Sequence, residues 1–177
     1  MPNNFGGHRP AHDGLAYVGF INSVDNRNYK EYASVKLNSA LRSDTRYKLV
    51  FYYSVADSSA FICNDLCIAL SPKPFEARGS EAMDVAFIWK ADTVIKNGEW
   101  VKVCFEFEAE GKEEYLLIGG LDYKNQQVTV STGSVQASYI FVDDFSLEAI
   151  EESIVNMGMD TTICDGDSIW LIPADSF

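Results

Sequence analysis

At 177 residues the chain has the length of one ordinary domain, with room for a small appendage. Hydrophobic residues make up 47%, enough for a packed core, and a 13% aromatic share favours β structure, where flat and branched side chains pack on a pleated surface. With 26 acids against 14 bases the formal net charge is −12, which opposes binding to nucleic-acid phosphates or to an anionic membrane surface.

Strand-like segments follow one another along the chain, at 15–21, 31–37, 46–56, 61–71, 84–90, 100–108, 114–120 and 137–149. Several alternate with a period of two. Leu49, Phe51, Tyr53 and Val55 share one face of the third segment. Val101, Val103, Phe105 and Phe107 share a face of the sixth, opposite Lys102, Cys104, Glu106 and Glu108. Turn signals separate the segments. Asn97-Gly98 predicts a hairpin, because both residues tolerate positive φ. Ser71-Pro72-Lys73-Pro74, Gly111, Gly119-Gly120 and Thr132-Gly133 mark further breaks. No helical period extends over ten residues. Eight strands with turns between them predict an all-β fold, an antiparallel β-sandwich of jelly-roll type.

The jelly-roll domain is expected to occupy 1–150, with a linker at 151–156. The segment 157–177 carries a turn-rich Asp-Gly-Asp centre and one short strand, too little to form a core of its own. It reads as the truncated start of a second β domain. No run of ~18 apolar residues is present to span a membrane. Met1 is followed by polar Pro2-Asn3-Asn4 rather than by a basic start and an apolar stretch, so no signal peptide is visible.

Cys63, Cys67, Cys104 and Cys164 lack the spacing of a structural zinc site. Cys63 and Cys67 could bridge across a bulge or turn, Cys67 could bridge to Cys104, or the thiols could be buried and inert. His8 and His12 lie in a Gly/Pro-rich loop and read as exposed polar residues. Asp143 and Asp144 interrupt the last strand. Neighbouring strand residues point to opposite faces, so the two cannot act as an acid/base pair unless a bulge re-aims one of them. No nucleophile elbow accompanies them, and no catalytic residue is expected. Among the aromatics that could stack on sugar rings, Trp89 and Tyr123 border loops and, with Tyr17, are the candidate ligand-binding residues.

The segments 2-PNNFGGHRPAHDGLAYVGF-20, 30-KEYASVKLNSAL-41, 47-YKLVFYYSVADSS-59, 99-EWVKVCFEFEAEGKEEYLLIGG-120 and 139-YIFVDDFSL-147 together resemble a known family. It is the N-terminal galactose-binding-like jelly-roll domain of Bacteroidetes surface proteins, gliding-motility-associated and type B sorted by the type IX secretion system. The tail 158-GMDTTICDGDSIWL-171 resembles the opening of the immunoglobulin-like repeats in those proteins, in which the cysteine equivalent to Cys164 pairs with one further along.

The resemblance implies a secreted, cell-surface location and a non-catalytic module that binds a polysaccharide or other glycan. The alternative it leaves is a structural or adhesive spacer making protein–protein contacts. It also implies a structural calcium held by Asp143 and by the loop 12-HDGLA-16 that contains Asp13. Family members begin with a further strand carrying a glutamate ligand. This chain starts after it, which implies a missing first strand, an open sheet edge and a depleted calcium site.

Overall fold

The computed structural model describes residues 3–24, 29–76, 83–96 and 98–150. Among them the strands are β1 (Asn3–Asn4), β2 (Gly7–His8), β3 (Val18–Val24), β4 (Tyr32–Lys36), β5 (Thr45–Val55) and β6 (Phe61–Cys63). They continue with β7 (Leu66–Ser71), β8 (Trp89–Lys90), β9 (Val101–Ala109), β10 (Tyr115–Gly120), β11 (Val128–Val130) and β12 (Ala137–Ala149). A 3-10 turn spans Tyr123–Asn125. No helix among the described residues is long and apolar enough to cross a membrane.

Two four-stranded sheets, ordered β3-β12-β5-β9 and β4-β10-β7-β8, form the antiparallel β-sandwich that the alternation predicts. Leu49, Phe51, Tyr53 and Val55 of β5 are all buried between the sheets, as their spacing requires. Ile140 and Val142 of β12 flank them, and Leu66, Ile68, Leu116 and Ile118 meet them from the second sheet. The outer face of that second sheet is also covered. Cys67, Ala69 and Leu117 form a smaller cluster there under Tyr32, Phe75, Met83 and Val85.

Two local readings are corrected. The apolar run 61–71 is not one strand. It breaks at Asn64-Asp65, and its halves pair in different places, β6 with β11 and β7 with β10. The segments flanking Asn97-Gly98 do not form a hairpin either. Gly98 has φ of 74°, as a turn requires, but β8 pairs with β7 while β9 pairs with β5 in the other sheet. Between β8 and β9 the chain passes from one sheet to the other; Asn97, the linker 151–156 and the segment 157–177 lie outside the described residues.

Cys63 and Cys67 are free and buried, and Cys104 is free and exposed. A Cys67–Cys104 bridge is ruled out by placement: Cys67 faces outward from the second sheet, Cys104 outward from the first, with the core between them. Burial pushes the Cys67 thiol from an ordinary 9.0 up to about 11. The folded chain therefore keeps this proton to higher pH than the unfolded chain. Its contribution is complete below pH 9.0 and is lost as pH rises toward about 11. Urea unfolding between these limits is expected to show a loss on the order of 2 kcal/mol that shrinks in Cys67→Ala. In native protein both buried thiols are expected to resist iodoacetamide, as peptide mass mapping would show.

In β12, Asp143 pairs with Tyr52 but Ser146 pairs with Val50, so Asp144 and Phe145 together oppose Phe51. This bulge places Asp144 at φ of 53°, a left-handed conformation that Asp tolerates better than branched residues. Asp144→Gly is expected to leave stability unchanged or raise it by up to about 1 kcal/mol, and Asp144→Val to lower it by about 1–2 kcal/mol, by thermal unfolding.

Candidate functional site

Residues 5–17 cross the outer face of the first sheet, and a series of polar contacts ties them down. Ser58 donates to the Gly6 carbonyl. Arg9, 7% exposed, donates to Asp57 at 2.8 Å and to the Gly98 carbonyl. The Trp100 indole N–H reaches the Pro10 carbonyl at 3.1 Å. Asp143 accepts from the main-chain N–H groups of His12 at 2.8 Å and Asp13 at 3.3 Å through one oxygen, and from Asp144 at 2.9 Å through the other.

This anchoring assembles an aromatic patch. The His12 ring stacks on Tyr52, centroids 3.5 Å apart, and meets Trp100 edge-on at 6.2 Å. Tyr17 packs edge-on against Trp100 at 5.7 Å and lies tilted against Phe141 at 4.9 Å. Lys102 lies over the Tyr52 ring, 6.0 Å from its centroid. Asp144 approaches His12 Nδ1 at 3.4 Å, and Asp13 is exposed beside it. Partly exposed rings and carboxylates thus share one face.

Beside the patch, a cleft of about 410 Å³ opens between the free edges of β3 and β4. Tyr17, Val18, Val35, Leu116 and Phe145 line most of it, with Asp143 and Asp144 at one side. Its walls are apolar.

The three candidate ligand-binding residues are placed on different parts of the sandwich. Tyr17 belongs to the patch and to the cleft. Trp89 stacks on Phe105 at 5.6 Å and meets Phe51 edge-on at 5.5 Å, so its ring fills the space between the sheets. Tyr123 sits in the 3-10 turn with Lys124 over its ring at 5.6 Å. Sequence reasoning missed His12 and Trp100. The signal for Trp100 was present: it shares its parity with Lys102 and Cys104, the outward face of β9.

As arranged, Asp143 and Asp13 do not fit a calcium site. A calcium ion needs converging carboxylate and carbonyl oxygens. The 12–16 loop instead presents two N–H groups to one oxygen of Asp143, and the Asp144 N–H occupies the other. Among the described residues no three His, Cys, Asp or Glu side chains converge as metal ligands.

No family model matches this sequence. No curated protein matches it either. Among solved structures, a chain described as the EclA C-terminal domain, a sugar-binding protein, is similar at 16% identity and a TM-score of 0.37, over 84% of this chain and 89% of its own.

Proposed function

We propose that this domain is a non-catalytic binding module for a carbohydrate, displayed at the cell surface, with the patch of His12, Tyr17, Tyr52 and Trp100 as its contact face. The observation that carries the reading is the pairing of partly exposed rings with the carboxylates of Asp13, on the anchored loop, and Asp144, at the β12 bulge. Sugar rings offer C–H faces that pack on flat aromatics, while Asp13 and Asp144 are placed to accept from hydroxyls. Display at the surface rests on the sequence resemblance. Trp100→Ala and Tyr17→Ala are expected to weaken retention on a glycan array or an insoluble polysaccharide by at least about tenfold, a loss of about 1.4 kcal/mol or more. Tyr123→Ala is expected to leave it unchanged, and added calcium to make no difference. No glycan retained by the wild-type chain at high protein concentration sinks the proposal.

A second reading is favoured by the cleft. Val18, Val35 and Phe145 are 52%, 56% and 41% exposed along it, an apolar lining better suited to a protein surface than to sugar hydroxyls. In that case the module is a spacer or adhesive domain, and patch substitutions leave its binding intact.

A further inference from the structure

Sandwich interiors seldom hold full charges, because removing them from water is costly. Lys30 Nζ lies 2.5 Å from Asp65 Oδ2, with the two side chains 3% and 0% exposed. The second oxygen of the same carboxylate accepts a 2.6 Å hydrogen bond from Asn22 Nδ2, and Asn22 is also fully buried. Lys30 Nζ donates as well to the main-chain carbonyl of Asn22 at 3.0 Å. One carboxylate therefore bridges an amine and a primary amide.

Three further observations set this cluster apart from a plain ion pair. Ser138 pairs with Ser23 and Tyr139 with Ile21, so Asn22 is an extra, bulged residue of β3, and its carbonyl turns to Lys30. Asn22 Oδ1 is buried without a hydrogen-bond partner. Gly120 closes the site: a Cβ there would lie 2.8 Å from Asn22 O, Asp65 Oδ2 and Lys30 Nζ alike.

We propose that Lys30 and Asn22 become joined by an intramolecular isopeptide bond, with Asp65 carrying the protons. The Lys30 ammonium first gives one proton to Asp65. Asp65 is then a donor, and a turn of the Asn22 amide gives the orphaned Oδ1 its partner and polarises the carbonyl. The lone pair of the neutral amine attacks Cγ, forming the Nζ–Cγ bond. Through Asp65, Nζ passes one proton to Nδ2; the Cγ–Nδ2 bond breaks, and its electron pair leaves with ammonia. An ammonium, a carboxylate and a primary amide become a secondary amide, a carboxylic acid and ammonia, with charge and hydrogens conserved. The buried ion pair is replaced by neutral groups, which removes its desolvation cost. Holding amine and amide on one carboxylate supplies the proximity that the uncatalysed reaction lacks.

Mass spectrometry of the folded full chain tests this. The intact mass is expected to fall one ammonia, about 17 Da, below the sequence mass. After denaturation and trypsin, cleavage at Arg27 is expected to leave peptides 1–27 and 28–36 joined, with Lys30 uncut. Lys30→Arg, which keeps the charge but not the nucleophile, and Asp65→Asn are expected to abolish the link. A folded wild-type chain at full mass, freshly purified and after days at room temperature, overturns the proposal. So does ammonia loss confined to peptide 1–27, which is a succinimide, or a water-loss link between Lys30 and Asp65. The wild-type measurement decides the matter even where a variant fails to fold.

Discussion

Asp65→Ala is expected to lower the unfolding free energy by at least about 3–5 kcal/mol, because the variant cannot form the Lys30–Asn22 link and leaves the lysine buried without its counter-charge. Lys30 is 5% exposed and cannot reach water without opening the edge where β3 and β4 meet. The same change leaves Asn22 Nδ2 without its acceptor. Against a total stability of roughly 5–15 kcal/mol, such a loss would place much of the population near unfolding at 37 °C. Urea unfolding at constant pH measures it. A double-mutant cycle with Lys30→Met in an Asp65→Leu background is expected to recover part of the loss, because apolar groups of similar size can replace a buried pair with little or no penalty. Additive losses would mean that the two side chains act independently, against the 2.5 Å contact.

Phe51→Ala is the second large effect, expected to cost about 3–5 kcal/mol. Phe51 is 0% exposed at the centre of the sandwich. Its ring meets Trp89 edge-on at 5.5 Å and stacks on Phe145 at 5.0 Å with an interplanar angle of 6°. Truncation removes the partner of both rings and leaves a cavity that rigid strands on either side can close only in part. The loss should appear as a lower urea midpoint with an unchanged slope. Tryptophan emission should shift as Trp89 loses its packing. A cost below about 1 kcal/mol would contradict the packing of Phe51 against Trp89 and Phe145.

The sandwich was legible because strand parity is a local signal. The spacing of Leu49, Phe51, Tyr53 and Val55 needs no knowledge of what lies across the core. The break at Asn64-Asp65 was not legible in the same way, since the run from Phe61 to Leu70 is apolar enough to read as one strand. What places Asp65 inside is a lysine 35 positions and an asparagine 43 positions earlier, and no spacing rule links them. The candidate site was legible in part. Tyr17 was singled out, and the outward parity of Trp100 was readable. The stacking of His12 on Tyr52 depends on how the 5–17 loop lies over the sheet, and contacts across the chain determine that. Trp89 misled because a loop boundary suggests exposure, whereas a two-residue edge strand can still tuck a ring between sheets.

The bulge at Asp144 gives β12 two phases. Before it, even-numbered Ile140 and Val142 face the core; after it, odd-numbered Leu147 and Ala149 do. A one-residue deletion at this point would therefore restore plain alternation rather than disturb it. Phe145 would then oppose Phe51 alone, with Leu147 still inward and Ser146 still outward, whereas the same deletion elsewhere in β12 would turn core residues toward solvent. Relatives of this domain should be aligned with a gap allowed at that position, because an ungapped pairing with a bulge-free strand would match every core residue on one side of it to a solvent-facing one.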